Sequence, residues 1–169
     1  LIDKAKPEDS FGEIVVKGDN VMLGYYENEE ETAAVLNNGW FRTGDLGYVD
    51  EKNRVFITGR KKNLIILSNG ENVSPEEIEN KFAGKDMIAE VMVYAEEGFI
   101  TAEIFPNGEY FNGKSTDEIN AEISELIKMI NTTVTSAKTI RKIRIRNEEF
   151  DKTTSKKIKR QQTKQGDLI

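Results

Sequence analysis

The sequence predicts an α+β chain, with a short sheet flanked by two helices over residues 61–169 and a β-rich stretch over residues 1–60 before it. Three observations carry this. Runs rich in β-branched and aromatic residues recur in pairs around turn residues, as in GYVDEKNRVFITG (47–59) and in IAEVMVYA (88–95) with FITAEIFP (99–106). Two capping boxes, Ser74-Pro75-Glu76-Glu77 and Ser115-Thr116-Asp117-Glu118, announce helices. Finally, residues 1–60 offer only a few strands and one short helix, too little for an independent barrel or sandwich, so they read as the edge of a larger domain.

In chain order, GEIVVKG (12–18) is a strand closed by glycines. NEEETAAVLNNGW (28–40) reads as a short acidic helix capped by Asn28 and stopped at Gly39. Residues 47–59 form a hairpin around Asp50–Asn53. LIIL (64–67) is a short apolar strand, and Asn69-Gly70 is a dipeptide favoured by type I′ turns, which need positive φ at both central residues. With serine at N-cap, proline at N1 and glutamate at N3, a helix is expected from about Pro75 to Phe82. The strands at 88–95 and 99–106 turn around Glu96–Gly98. After a loop at 107–116, Ile119, Ile123, Leu126, Ile127 and Ile130 keep helical spacing on one apolar face. TIRKIRIRN (139–147) alternates isoleucine with Arg and Lys, a strand with one wet, basic face.

The 169 residues are 37% hydrophobic and 32% charged, with a net charge of −6, a soluble globular composition rather than a disordered one. No stretch is apolar enough to cross a bilayer, and no signal-peptide pattern opens the chain. The expectation is a cytoplasmic protein without a transmembrane segment, its peripheral association with a membrane left open. There is no cysteine, which excludes disulfides and thiol chemistry, and no histidine, which removes the usual near-neutral base and the commonest metal ligand. Catalysis must rest on Lys, Arg, carboxylates, hydroxyls or backbone. The first residue is Leu1, not methionine, which reads as an excised or processed piece.

Charge is uneven: between Lys138 and Gln165 eleven Lys or Arg face three acids. An acidic body with a basic end disfavours general nucleic-acid binding but permits one local anion site. Four stretches are candidates for chemistry. Thr43-Gly44-Asp45 is either an Asx-turn or a carboxylate presented to paired hydroxyls such as a ribose offers. Gly59-Arg60-Lys61-Lys62-Asn63 is either a solvated corner or a hinge with Arg60 on a phosphate or ribose oxygen. The Asn69–Val73 loop is either a plain hairpin turn or, through Gly70, a place of close backbone approach to a ligand. EFDKTTSKKIKR (149–160) is a solvated charge run, a polyanion patch or the setting for one working lysine. No aromatic residue is interleaved over 151–165, so there is no stacking platform for single strands.

Read together, these stretches resemble the adenylate-forming superfamily: acyl-CoA synthetases, luciferases and the adenylation domains of peptide synthetases. The resemblance runs through GEIVVKGDNVMLGYYENEEETAAVLNNGWFRTGDLGYVDEKNRVFITGRKKNLIILSNGENVSPEEIE and resumes at 139–160. IRKIRIRNEEFDKTTSKKIKR looks most like bacterial long-chain fatty-acid CoA ligases. The resemblance implies the mobile C-terminal domain of that fold at 61–169, preceded by the end of the large N-terminal domain at 1–60. It implies an enzyme that activates a fatty acid with ATP and Mg2+ as acyl-AMP and transfers it to CoA. Asp45 would hold ribose hydroxyls, with Arg60 supporting the same nucleotide. Lys62 would be the hinge, Gly70 would line the pantetheine tunnel, and Lys157 would be the lysine of a closing motif written P-K-T-x-x-G-K.

Asp151 replaces the motif's proline and Lys156 its glycine. With Lys156 and Lys157 adjacent, the motif can be laid on the sequence in two registers one residue apart. The segment AGKDMIAEVMVYAEEGF also lacks the usual His-Pro before its strand and Gly-Glu after it. The family's Ser/Thr/Gly-rich loop for the β- and γ-phosphates and its acyl pocket do not occur in this sequence, so the chain alone is expected to be inactive and to depend on the N-terminal domain of the same polypeptide. An aryl- or amino-acid ligase and a non-catalytic basic binding module are the alternative readings.

Overall fold

A computed structural model describes residues 1–4, 11–68, 70–160 and 167–169. The chain divides into two units, Leu1–Leu64 and Ile65–Ile169.

The first unit is an antiparallel sheet. β1 (Ile2–Asp3) pairs with β2 (Gly12–Val16), followed by helix α1 (Glu29–Val35), β3 (Leu36–Asn37), the ten-residue β4 (Trp40–Val49) and β5 (Val55–Arg60). β4 organises it, with β2 on one side and both β3 and β5 on the other. Asn28 caps α1 as expected, its Oδ1 accepting from the Glu31 amide at 3.1 Å. The helix ends earlier than expected, because Leu36 is already extended. Gly39 is not its stop: Asn38 and Gly39, at φ +50° and +79°, form the tight turn between β3 and β4, and positive φ at both centres is the demand that the Asn-Gly pair satisfies. The Asp50–Asn53 hairpin forms, with Asp50 Oδ1 accepting from the Lys52 and Arg54 amides, both at 2.9 Å.

The second unit opens with β6 (Ile65–Ile66) paired to β7 (Asn72–Val73), then α2 (Pro75–Glu79) running into a 3-10 turn at Asn80–Phe82. Asn69, the first half of the expected turn dipeptide, and Lys164 of the basic end lie outside the described residues. β8 (Ile88–Glu96) and β9 (Phe99–Pro106) form a hairpin over Glu97 and Gly98. Helix α3 (Thr116–Asn131) then crosses over, so β10 (Ile140–Ile145) runs parallel to β9, as a helical crossover permits. β11 (Asp167–Leu168) completes the order β11-β10-β9-β8.

The core lies between one face of this sheet and its helices. Ile100, Ala102 and Ile104 of β9, with Val93, Ile140 and Ile145, pack with Ile123, Leu126, Ile127 and Ile130 of α3 and with Ile78 and Phe82. Strand period 2 meeting helix period 3.6 is enough to build it. The second capping box forms in full at Ser115 and Glu118. The first does not: Ser74 makes no cap bond through its side chain, its hydroxyl meets Glu76 Oε2 at 3.0 Å, and Glu77 instead receives Lys138 at 2.8 Å.

The other sheet face corrects the expectation of a wet, basic strand. Lys142 pairs with Glu97, Arg144 with Glu96 at 2.9 Å, and Arg146 with Glu103 at 3.0 Å. These cations are mostly buried, each answered by an acid on β8 or β9 or in the turn between them.

Candidate functional site

In the first unit, ladder register sets Asp45 of β4 opposite Arg60 of β5, with Arg60 Nε 2.8 Å from Asp45 Oδ1. Asp45 does not close an Asx-turn. Its amide donates to Thr43 Oγ1 at 3.1 Å, and that hydroxyl donates to the Ile14 carbonyl at 2.7 Å. The Asp45 carboxylate therefore stays on the surface, 26% exposed beside a guanidinium that is 50% exposed. Gly44 allows this turn at φ +71°, where a side chain would be strained.

Glu13 of β2 is a residue that sequence reasoning missed. Although only 5% exposed, it accepts from the Gly44 amide (3.2 Å), from Arg42 (2.7 Å) and from Lys61 (2.9 Å). Burial pushes its carboxyl upward, but the hydrogen bonds from Lys61 and Arg42 outweigh this and hold it below the usual carboxylate range. One buried acid thus fixes the turn presenting Asp45 and also the residue before Lys62. Lys62 lies exposed in a 3-10 turn, Lys61–Asn63. Through Glu13, Lys61 is tied to the first unit, Leu1–Leu64.

In the second unit, Gly70 stands on the β6–β7 turn, its amide donating to the Leu67 carbonyl at 2.8 Å, and the space where a Cβ would stand is open. Lys157 lies on a different loop. Residues 151–159 form a small hairpin: Lys152 bridges Ile158, the Lys159 amide donates to the Asp151 carbonyl at 2.8 Å, and the Thr153 amide to the Lys157 carbonyl at 2.8 Å. Within the basic stretch the cations divide. Lys152 is bound to Glu90 and Glu149, and those hydrogen bonds, Glu149's first, push it up to about 12. Arg160 is bound to Glu79 at 2.6 Å and Glu76 at 3.4 Å. Lys156, Lys157 and Lys159 are exposed and make no ion pair among the described residues.

Lys156 adopts φ +61°, the left-handed region that suits glycine. A glycine would adopt this backbone without strain. Lys156→Gly is expected to stabilise the hairpin by about 1 kcal/mol, the order of cost of a left-handed L-residue. Native-state hydrogen exchange at the Lys159 amide reads this out; faster exchange in the variant would contradict the assigned backbone.

Among the described residues there is no group of three or more His, Cys, Asp or Glu side chains that could hold a metal ion. Nor is any described helix long and apolar enough to cross a membrane.

The sequence profile of the AMP-binding enzyme C-terminal domain matches residues 62–166. The chain is 36% identical over 160 residues to the long-chain-fatty-acid–CoA ligase FadD15 of Mycobacterium tuberculosis, covering 85% of this chain and 27% of that protein. Indoleacetate–CoA ligase of Aromatoleum aromaticum is 51% identical over 82 residues, 48% of this chain and 16% of its own. Among solved structures, o-succinylbenzoate CoA synthetase of Bacillus subtilis, in complex with its acyl-adenylate intermediate, is similar with a TM-score of 0.78 and 29% identity, over 99% of this chain and 34% of that one. The chain spans about a third or less of the length of these relatives. With a domain profile over most of its length and a fold that agrees, the chain belongs to the AMP-binding, adenylate-forming enzymes and carries their C-terminal domain.

Proposed function

We propose that this chain is the C-terminal part of an AMP-forming acid–CoA ligase that activates a long-chain fatty acid with ATP as the acyl adenylate and passes it to CoA. The observation that carries the reading is the seating of Lys157: exposed, unpaired among the described residues, and preceded by a residue in the glycine-like conformation. Adenylate formation brings a carboxylate against an α-phosphate, both anionic. A compact ammonium between them offsets the repulsion as charge develops, and a long flexible stem lets it arrive from a mobile domain. Lys156 and Lys159, also without an ion pair among the described residues, raise the local positive potential, which also suits polyanionic CoA.

The other roles follow the same reading. Asp45 accepts from ribose hydroxyls with Arg60 beside it, Lys62 is the pivot for rotation of the second unit, and the Gly70 turn lines the pantetheine path. ATP and CoA are co-substrates. Mg2+ would be carried on the triphosphate and would neutralise its charge, with protein ligands supplied by the large domain of the same polypeptide.

The long-chain acid is favoured because the match to FadD15 runs over 160 residues, against 82 for the indoleacetate ligase. The higher identity of that shorter match, 51%, supports an aryl acid as the second reading. ATP–pyrophosphate exchange on the full-length protein, scanned over fatty, aryl and amino acids, separates them. Exchange with long-chain acids, followed by acyl-CoA formation, is the expected result. Exchange with aryl or amino acids alone keeps the chemistry and replaces the substrate, and no exchange with any acid ends the ligase reading.

A further inference from the structure

β8 is an edge strand of the second unit's sheet, and an open edge leaves backbone donors and acceptors without partners. At Val93 both are answered by side chains. The Val93 amide donates to Glu79 Oε1 at 2.8 Å, and the Val93 carbonyl accepts from Arg160 Nη1 at 3.2 Å. The two side chains are joined to each other, Arg160 Nη2 donating to Glu79 Oε2 at 2.6 Å. Helix α2, the β8 edge and the residue that follows the Lys157 hairpin are thereby joined through Glu79 and Arg160, with Glu76 a further partner of the guanidinium at 3.4 Å. Burial pushes the Glu79 carboxyl up, and Arg160 offsets this only in part. The hairpin's other limb is held separately, through Lys152 on Glu90 and the Phe150 amide on Glu90 Oε2 at 2.8 Å.

Resting on the reading of Lys157 given above, we infer that Glu79 and Arg160 form a clamp that seats the Lys157 hairpin on the β8 edge, which makes them positioning residues for adenylate formation. The hairpin has few backbone bonds of its own, and its tip is exposed. Its orientation is set at its two feet. Losing the Arg160 foot leaves the Lys152 foot attached, so the loop remains on the sheet but Lys157 is no longer aimed. A displacement of about 1 Å at a reacting group can cost about 100-fold in rate, and the fork of Arg160 is what spans Glu79 and the Val93 carbonyl together. A lysine carries the charge without the fork.

The test uses Arg160→Ala, Arg160→Lys and Lys157→Ala in the full-length enzyme, with two readouts: the separate half-reactions, and hydrogen exchange of the hairpin amides. For Arg160→Ala we expect faster exchange at Thr153, Lys156 and Lys159 with α3 unchanged. Adenylate formation is expected to fall at least about 10-fold, while thioester formation from supplied acyl adenylate is retained. Arg160→Lys is expected to fall between Arg160→Ala and wild type, and it serves if Arg160→Ala does not fold. Unchanged exchange at the hairpin overturns the clamp whatever the kinetics. Faster exchange with full adenylation, in an enzyme that Lys157→Ala disables, overturns the positioning role and leaves the role of Lys157 standing. If Lys157→Ala itself spares adenylation, the role of Lys157 falls and the positioning role with it, while the exchange data still decide whether the clamp exists.

Discussion

Lys157→Ala in the full-length protein is expected, on the proposed function, to slow adenylate formation about 100- to 1,000-fold, the usual loss when one preorganised charge or donor is taken from a developing anion. Thioester formation from supplied acyl adenylate is expected to be nearly unchanged, because the repulsion between carboxylate and α-phosphate has by then been overcome. The split between the half-reactions decides the matter, since a folding defect would depress both. Lys156→Ala and Lys159→Ala remove charge from the same tip and should cost far less, as they lower the general potential without leaving the reacting groups unpaired. If Lys156→Ala proved the damaging change and Lys157→Ala the mild one, the motif would lie in the other register.

What the sequence made legible is mostly what neighbours along the chain determine. The α3 face is written in the spacing of Ile123, Leu126, Ile127 and Ile130, all buried in the structure, and the box at Ser115 depends on residues three apart. The α+β class follows from such local signals, and the structure agrees with it. The errors come where a distant partner outbids the local one. Glu77 was expected to close a capping box, yet it receives Lys138, 61 residues away. The alternation in TIRKIRIRN was read as a wet face, because nothing local tells that Glu96, Glu97 and Glu103 stand beside it. Asn38-Gly39 was read as the end of a helix, although the pair carries the same turn signature that was recognised at Asn69-Gly70.

The candidate site divides in the same way. Asp45 and Arg60 were singled out separately from local motifs, and ladder register brings them together. Glu13 was passed over as one acid in a strand; its importance lies in Lys61, 48 residues on. Arg160 was counted as one charge in a basic run, whereas its partner Glu79 is 81 residues away. A cation's role depends on whether an acid waits for it across the fold, and composition cannot separate Lys157 from Arg160.

Arg146→Ala is expected to destabilise the second unit by about 3–5 kcal/mol, the cost of breaking a buried ion pair from one side. Glu103 has no exposure, and the Arg146 side chain is 5% exposed with 3.0 Å between them. The guanidinium also donates to the Glu148 and Glu149 carbonyls at 3.0 and 3.2 Å and lies 4.3 Å from the centre of the Phe150 ring. Removing it takes the cation from a carboxylate that water cannot reach and takes two donors from the segment leading into the Lys157 hairpin. A urea titration would show the midpoint falling accordingly. The decisive control is the double change Arg146→Met with Glu103→Leu. Replacing a whole buried pair by apolar residues of similar volume is often neutral or stabilising, so the double variant should recover most of what Arg146→Ala loses. A loss of about 1 kcal/mol or less for Arg146→Ala, the value of an exposed pair, would mean that the charge layer on this sheet face is a solvated surface after all. The pairing of Lys142, Arg144 and Arg146 with Glu97, Glu96 and Glu103 would then add nothing to the platform on which Lys157 is carried.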